Sequence, residues 1–543
     1  MTQRQLPKLP LGNADFAALR QTGAIYVDKT AHIQDLVKGQ CNAIFIARPR
    51  RFGKSLLLST LYSLFKFGFR DFDGLKIADH WDEPVYRTVR LDLSGAAYFN
   101  TIDEFRAAFH SQLRIAFGQI GFDDDRMTDT ETQLFGWLQK QPPESVVLLI
   151  DEYDAPLTNA LDRLELLKAV REHLQCFYEN LQKTLHVFRF LFVTGVTHAG
   201  SSGVLSSFSS LLDITYEPRY ATLIGFTEEE LENHFSDYIS IAATRLKLKP
   251  SALIDRLHVY YGGYAFGGQA LTNLYCPWSI LCYFDNDQCI FESYWFRTGG
   301  QAAILKTFVT NNPITFIKSF IHARSVLKKD IINPGLYENL SLEAILTQAG
   351  YLTVSPDDAS HFKLTYPNCD ISLSMAQLYT QSLLKSGCRL IEPGGFSPKQ
   401  IFLTQNAEAV IQLLNRYLDA LDVHKASVTN EADLCATLQV LLIATMQTQE
   451  VELHNTPDGT LLVVKVAHHR WVIAFKSNPE KKMTNDRLRK ATPYLESVAK
   501  DQTHHNESLH CLVVFFDKSE HHIMAWNALD FHSKSPFKDV NTL

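Results

Sequence analysis

Residues 43–55 narrow the choice of fold for this chain more than any other segment. The apolar run from Ala43 to Ala47 predicts a buried strand, and apolar residues at helical spacing follow the segment. Between them lies a basic loop that ends in Gly53, Lys54 and Ser55. This order is typical of a phosphate-binding loop, in which backbone N–H groups at a helix N-terminus surround the phosphates. The lysine then reaches the β/γ-phosphates, and the serine hydroxyl holds Mg²⁺.

The match to a phosphate-binding loop is imperfect at one position. The usual spacing places a first glycine five residues before Gly53, where this chain has Arg48. The alternative is an ordinary helix start, in which Ser55 is a first-turn residue and the arginines form a solvated loop. The loop alone therefore leaves both interpretations open.

A second segment favours the nucleotide site. Residues 146–150 form an apolar run typical of a buried strand, and the carboxylates Asp151 and Glu152 follow it directly. An acidic residue at the end of such a strand holds Mg²⁺ in phosphate-loop nucleotidases. The sequence therefore predicts that ATP binds with Mg²⁺, that Asp151 holds the ion through water, and that Glu152 polarises the attacking water. Both ATP hydrolysis and binding without turnover fit this pattern.

These motifs also carry a family resemblance. Together with residues 26–30 (Tyr-Val-Asp-Lys-Thr), they resemble the bacterial AAA-ATPase-like family, over residues 7–375 of this chain. In that family an arginine replaces the first glycine of the loop, so the resemblance implies that Arg48, Pro49 and Phe52 belong to the nucleotide-binding loop. It also implies a PD-(D/E)XK nuclease-like domain at the C-terminus. Later segments agree with the resemblance: Gly225-Phe226-Thr227, Tyr261-Gly262-Gly263-Tyr264, Pro277-Trp278-Ser279, Tyr294-Trp295 and Gly350-Tyr351-Leu352.

Further site candidates follow from position in the chain. Tyr26 precedes the first strand and is a candidate to stack on the adenine; the alternative is an ordinary core tyrosine. Thr194 ends a predicted strand, where a polar side chain can sense the γ-phosphate. Arg50, Arg51 and Arg219 are candidates for an arginine finger, because a planar, permanently charged guanidinium suits phosphoryl oxygens.

Strands alternate with helices through the first 225 residues. Apolar patterns predict strands at residues 89–93, 146–150 and 187–193, and helices at residues 102–120 and 161–181. This alternation implies right-handed crossovers and a parallel sheet. We therefore predict an α/β fold with a P-loop NTPase domain at residues 1–225, a helical, winged-helix-like region at residues 226–392, and a restriction-endonuclease-like α/β domain at residues 399–543.

The C-terminal domain lacks the acids that its family would use. Aligned on the family's motifs, Leu462 and Ala474 occupy the positions of the two metal-binding carboxylates, and Lys476 matches the lysine. Glu431 matches an upstream helix acid. Because Mg²⁺ needs oxygen ligands, we predict an inactive nuclease-like domain. A basic group that follows, residues 481–490, is either a solvated helix or a phosphate-contacting surface for nucleic acid.

Composition limits the classes of protein to which the chain can belong. A net charge of −7 over 543 residues argues against a protein that coats nucleic acid by charge alone. Nine scattered cysteines without a Cys-x-x-Cys pair indicate reduced thiols. The chain shows neither a long apolar run nor a signal-peptide pattern, so we expect a cytoplasmic protein that does not enter the membrane.

Three hypotheses for function stay open on these grounds. The first is a slow Mg²⁺-dependent ATPase that couples its nucleotide state to a surface for a protein partner of unknown identity. The second is a nucleotide-dependent interaction protein that does not hydrolyse ATP. The third is a nucleic-acid-binding module that has kept the nuclease fold without cleavage.

Overall fold

The computed structural model describes residues 6–78, 80–125, 128–198, 203–267, 273–297, 324–332, 341–391, 395–404, 406–422, 428–448, 450–456, 459–477, 508–517, 522–529 and 541–542. Two units make up the chain, the first with residues 1–307 and 324–371 and the second with residues 308–323 and 372–543. The basic group at residues 481–490 lies outside the described residues.

A five-stranded parallel sheet forms the centre of the first unit, in the order β2-β3-β4-β1-β5. Its strands are β1 (Ala43–Ala47), β2 (Arg87–Asp92), β3 (Val146–Asp151), β4 (Phe188–Gly195) and β5 (Leu212–Asp213). Every residue of β1 and β3 is buried, as expected for a parallel sheet covered on both faces. The fold is therefore α/β with a parallel sheet flanked by helices, as the sequence predicted.

Helices connect these strands and cover the sheet. They are α1 (Phe16–Gln21), α2 (Thr30–Val37), α3 (Lys54–Phe67), α4 (Ile102–Gly118), α5 (Thr130–Leu138), α6 (Ala155–Asn159) and α7 (Leu164–Lys183). Short 3₁₀ turns lie at Gly68–Asp71, Leu93–Ala96, Leu185–Val187 and Pro218–Tyr220. Side chains from β3, β4, α4, α5 and α7 form one continuous apolar core.

The rest of the first unit contains helices and a small antiparallel sheet. The helices are α8 (Glu228–Leu246), α9 (Pro250–Tyr261), α10 (Pro277–Asp285), α11 (Tyr294–Arg297), α12 (Lys328–Ile332) and α13 (Leu342–Gln348). The sheet has the order β6-β8-β7, with β6 (Arg324–Leu327), β7 (Thr353–Pro356) and β8 (His361–Thr365). Thr227 and Glu230 form a capping box at the N-terminus of α8, and this box defines where the helix begins.

The second unit has a six-stranded sheet of mixed direction. The strands are β9 (Val451–Thr456), β10 (Gly459–Val466), β11 (His469–Ser477), β12 (Ser508–Asp517), β13 (His522–Leu529) and β14 (Asn541–Thr542), in the order β14-β13-β12-β11-β10-β9. Strands β11 and β12 are parallel, and the other pairs are antiparallel. The helices are α14 (Cys369–Leu383, which begins in the first unit), α15 (Pro398–Leu403), α16 (Ala407–Ala420) and α17 (Glu431–Met446). Helix α17 packs on β9 and β10.

The register of β10 and β11 corrects one prediction from the sequence. Leu461, not Leu462, lies opposite Ala474, and Leu462 lies opposite Ile473. Since neighbouring residues of a strand point to opposite faces, Leu462 is on the other side of the sheet from Ala474 and Lys476. Leu462 and Ala474 therefore do not line one pocket beside Lys476, and the apolar run Leu-Leu-Val-Val carries no alternation that fixes which residues share a face.

Two further local findings complete the description of the fold. Lys29 precedes α2, and the Asp28 carboxylate accepts a hydrogen bond from the Thr30 N–H at 2.9 Å. Among the described residues, no helix combines the length and apolar character needed to cross a membrane.

Candidate functional site

The loop between β1 and α3 has the backbone geometry of an anion-binding turn. Arg51 and Gly53 have φ angles of 69° and 108°, so both lie in the left-handed region. Lys54 is the first residue of α3. Left-handed residues directly before a helix turn successive N–H groups towards one point, and the N-terminus of the helix adds a positive potential there. The arrangement suits a phosphate group.

The side chain of Lys54 is buried inside this loop. Its ammonium group donates hydrogen bonds to the carbonyl oxygens of Arg48 at 2.9 Å and Pro49 at 3.0 Å. Burial lowers the pKa of Lys54, and the carboxylates of Asp151 and Glu152 oppose that shift. The loop thus holds a cation in a fixed position beside the acidic residues of β3.

Asp151 lies at the end of β3, next to Thr194 and Arg90. The Thr194 hydroxyl donates a hydrogen bond to Oδ1 of Asp151 at 2.8 Å, and Arg90 Nη2 is 3.5 Å from Oδ2. Strand β4 lies between β1 and β3 in the sheet, which places Thr194 between the loop and Asp151. The carboxylate is 1% exposed and also accepts a hydrogen bond from the Glu152 N–H at 3.1 Å, so three partners fix its orientation.

Glu152 follows directly and has an unusual backbone conformation. Its φ of 49° is in the left-handed region, which is uncommon for a residue other than glycine. Burial raises the pKa of Glu152, the ammonium group of Lys54 lowers it, and Asp154 and Asp151 raise it further. Such strain and such a shift are concentrated at functional sites.

A cavity of about 550 Å³ opens on the loop, within the range of small-molecule sites. Residues that line it include Arg50, Arg51, Phe52, Gly53, Lys54, Ser55, Glu152, Tyr26, Tyr98, Ile224, Gly225, Phe226 and Trp278. Tyr26 lines this cavity and is also part of the core, since its ring is edge-on to Phe16 and its hydroxyl is 3.3 Å from the Thr60 hydroxyl. Both interpretations of Tyr26 are therefore compatible with its position.

The four arginines predicted for the site have different surroundings. Arg48 is 1% exposed, and its guanidinium donates hydrogen bonds to the carbonyl oxygens of Ala47 and Thr215 at 2.9 and 2.6 Å. Arg50 and Arg51 line the cavity. Arg219 is not among the lining residues; its guanidinium is exposed and pairs with Asp35 at 3.3 Å. Two of the three finger candidates thus line the same cavity as Lys54 and Ser55.

Several residues without a predicted role contact the loop. The Arg51 guanidinium lies 4.2 Å from the centroid of the Trp278 ring, a cation–π contact at the edge of the cavity. The indole N–H of Trp295 donates a hydrogen bond to the carbonyl oxygen of Arg50 at 3.2 Å. A Cβ on Gly350 would be 2.6 Å from Cβ of Pro49, so only glycine permits this approach. Each lies in a segment that carried the family resemblance, although the sequence alone assigned none of them a role.

A second, small cavity adjoins Glu152. About 20 Å³ is enclosed by residues that include Arg50, Glu152, Asp154, Thr197 and Gln348. This volume is enough for roughly one water molecule. Gln348 is 6% exposed, and neither atom of its amide has a hydrogen-bond partner within the described part of the chain. Buried amides without partners are rare, which makes Gln348 a candidate to hold a small polar ligand.

A comparison with protein families gives a match over the first part of the chain. Residues 10–205 match a family described as Predicted AAA-ATPase. The matched range contains the phosphate-binding loop, the acidic strand and Thr194. This match supports a P-loop nucleotide-binding ATPase domain in the first part of the chain.

Two individual proteins show more distant similarity. The chain is 29% identical over 378 residues to an uncharacterised protein encoded in the vnfD 5′ region of Azotobacter chroococcum, covering 68% of this chain and 69% of that protein. It also resembles the crystal structure of Cdc6p from Pyrobaculum aerophilum at 13% identity, with a TM-score of 0.23, over 65% of this chain and 93% of that one.

Proposed function

We propose that the first unit binds ATP with Mg²⁺ and hydrolyses it slowly. The observation that carries this proposal is that one cavity of about 550 Å³ contains Gly53, Lys54, Ser55 and Glu152 together. These residues come from two strand ends that are about one hundred positions apart in the sequence. They meet at the carboxyl edge of a parallel sheet, and open α/β proteins bind ligands at this edge.

The donor set fits Mg²⁺. Ser55 lies in the first turn of α3 and lines the cavity, and Asp151 provides a carboxylate held by Thr194 at 2.8 Å. Hydroxyl, carboxylate and phosphate oxygens are the ligands that this ion prefers. When bound, the ion would neutralise charge on the phosphate oxygens. Ser55 and Asp151 would hold it, the latter through water.

The other residues of the site have separate roles. Lys54 places a positive charge at the β/γ-phosphates, and Arg50 or Arg51 adds a guanidinium to the charge spread over the transferred group. Glu152 accepts a hydrogen bond from the attacking water and orients it. Trp278 and Tyr26 provide aromatic surface at the edges of the same cavity for the base.

The test separates binding from turnover. Lys54→Ala should weaken ATP binding by about 10- to 100-fold, because it removes a charged hydrogen-bond donor worth ~1.5–3 kcal/mol. Calorimetry with wild type, Lys54→Ala and the exposed control Lys140→Ala measures this effect. Equal affinity in all three proteins would refute the nucleotide site.

Glu152→Gln tests the hydrolytic step. This variant should bind ATP as wild type does and release phosphate at no more than about one hundredth of the rate, the lower range for loss of a general base. If wild type and Glu152→Gln release phosphate equally at background level, the protein is a nucleotide-dependent switch and does not hydrolyse ATP. That outcome supports the second hypothesis of an interaction protein.

For the second unit we propose an inactive nuclease-like module. Glu431 and Lys476 approach one another at 4.0 Å, and Glu431 also accepts a hydrogen bond from the Ser477 N–H at 2.8 Å. Leu461 and Ala474 pair directly on the face that bears Lys476, and neither offers an oxygen ligand. One carboxylate and a lysine do not complete a divalent site. Such a module would bind a protein or a nucleic acid without cutting it.

A further inference from the structure

Two histidines and a glutamate converge in the first unit at a place that the nucleotide site does not use. His110 belongs to α4, Glu131 to α5 and His173 to α7. The Nε2 atoms of His110 and His173 are 3.0 and 2.8 Å from the same oxygen, Oε1 of Glu131. Three different helices thus direct one ligand-type atom each towards a common point.

The spacing of these atoms is that of a metal site. One atom from each residue lies within 4.8 Å of the other two. Ions such as Zn²⁺ bind imidazole nitrogen and carboxylate oxygen at about 2.0–2.2 Å, so tetrahedral ligand atoms lie roughly 3.3 Å apart. Asp129 supplies a further carboxylate oxygen, Oδ1, at 3.5 Å from Nε2 of His110. The observed distances between neighbouring groups, 2.8–3.5 Å, bracket the expected value.

The surroundings favour a cation over a simple hydrogen-bonded cluster. Glu131 is 8% exposed, and His173 packs edge-on against the rings of Phe105 and Phe109 at 5.4 and 5.5 Å. A buried carboxylate is costly unless a positive charge compensates it. The neighbouring cation Arg114 is directed to Asp124 at 3.2 Å and to Thr130 at 2.8 Å.

We propose that His110, Glu131 and His173 bind a divalent transition metal ion, of which zinc fits best, and that this ion joins α4, α5 and α7. Imidazole nitrogen selects zinc and its transition-metal neighbours over Mg²⁺ and Ca²⁺. Asp129 or water takes the fourth position. The ion has a structural role, because it links helices that pack on one apolar core and its ligands are not among the residues lining the nucleotide cavity. The proposal does not depend on ATP binding.

The decisive experiment is a zinc titration of the 543-residue protein. The protein is purified without a metal-affinity tag, stripped with EDTA, dialysed and titrated with Zn²⁺ in competition with a chromophoric chelator, in the presence of excess Mg²⁺ and without nucleotide. Wild type should take up one equivalent, and the double variant His110→Ala/His173→Ala should take up none. His186→Ala, which removes an exposed histidine of the same unit, is the matched control and should behave as wild type.

Two further measurements keep the result unambiguous if the double variant folds poorly. Glu131→Gln keeps an oxygen for the histidine hydrogen bonds but removes the anionic ligand, so zinc affinity should fall by more than the roughly 10- to 100-fold that loss of an outer-sphere partner costs. Zinc should raise the melting temperature of wild type and leave that of Glu131→Gln nearly unchanged, since only a ligand that binds the folded state stabilises it.

Metal content of the protein as isolated identifies the ion. Close to one zinc per chain supports the proposal as stated, and iron at the same stoichiometry supports the site with a different ion. The proposal is overturned if stripped wild type binds no zinc, or if His110→Ala/His173→Ala binds it as wild type does. Loss of ATP binding in Lys54→Ala is measured separately, so failure of one proposal is distinguishable from failure of the other.

Discussion

At the scale of single residues, Arg48 departs from the usual motif of a phosphate-binding loop and stabilises the loop instead. Its guanidinium turns inward, donates to the carbonyl oxygens of Ala47 and Thr215, and lies 4.3 Å from the centroid of the Phe266 ring. A glycine at this position would leave those carbonyls without these donors. Burial lowers the pKa of Arg48 to about 10, which still keeps the side chain charged at neutral pH. Arg48 therefore fixes the base of the loop.

Arg48→Met should destabilise the protein by about 1.5–3 kcal/mol, because it keeps much of the side-chain volume and removes hydrogen bonds from a charged donor. Arg48→Lys should not restore the loss, since an ammonium group does not reproduce the planar fork. Thermal unfolding measures both. Arg106→Met, at an exposed position of α4, is the control and should melt as wild type does. An unchanged melting temperature for Arg48→Met would contradict this role.

Gln348 is the second residue with a specific expectation. Within the described residues its buried amide has no partner, and it faces the small cavity beside Glu152. Replacing both polar atoms by an apolar side chain of similar length should leave stability unchanged or slightly higher. If the amide positions the attacking water, Gln348→Met should slow phosphate release by about 10- to 100-fold.

Single-turnover phosphate release and calorimetric ATP binding distinguish these effects for Gln348→Met. The expected result is a lower rate with an unchanged affinity for ATP. A variant that melts several degrees lower and loses ATP binding would show that Gln348 stabilises the fold and does not position the attacking water.

At the scale of elements, the loop between β1 and α3 is held from segments far away in sequence. Trp295, at the start of α11, donates to the carbonyl oxygen of Arg50, while its own backbone N–H donates to the Asp370 carboxylate at 3.2 Å. Ser279 of α10 donates to the same carboxylate oxygen at 2.9 Å. Helices α10 and α11 and the start of α14 are thus joined to the phosphate-binding loop by one chain of hydrogen bonds.

Trp295→Phe should weaken ATP binding more than it affects stability. The substitution keeps an aromatic ring against Tyr351, whose centroid is 5.0 Å away, and removes the donor to Arg50. The stability cost should be about 0.5–1.5 kcal/mol, the value of one neutral hydrogen bond. Trp81→Phe is the control, because the Trp81 indole N–H has no partner among the described residues. Equal ATP affinity in Trp295→Phe and wild type would show that the loop holds its shape without this bond.

At the scale of the whole molecule, the two units carry different chemistry. The first brings a phosphate-binding loop, the Glu152 carboxylate and a cavity together, whereas the second places Leu461 and Ala474, which offer no oxygen ligands, next to Lys476. The purified protein should therefore show no Mg²⁺-dependent cleavage of DNA, and Lys476→Ala should leave this background unchanged. Agarose assays with Mg²⁺ and Mn²⁺ check this expectation. Cleavage abolished by Lys476→Ala would mean that carboxylates elsewhere in the second unit complete a metal site.

The sequence by itself determined the elements with strong patterns. Residues 43–55 predict a buried strand followed by a loop and a helix, and residues 146–154 predict a buried strand with acidic residues at its end. Apolar runs and a Gly-Lys-Ser at a helix start are compatible with few other structures. The alternation of strands and helices predicts parallel strands but does not determine their full order, β2-β3-β4-β1-β5. Tertiary structure decided that β4 lies between β1 and β3. Thr194 lies beside Asp151 as a result of that order.

Contacts between distant segments were decided by tertiary structure alone. The cluster of His110, Glu131 and His173 has no sequence spacing that marks it, since each residue comes from a different helix and only helix packing brings them within 4.8 Å. The same holds for Gln348 beside Glu152 and for Trp295 on Arg50. In β10 the uninterrupted apolar run left the register open, and the strand pairing that puts Leu461 opposite Ala474 resolved it. Local patterns encode which element forms, whereas the partner of a side chain depends on how elements pack, which no local pattern records.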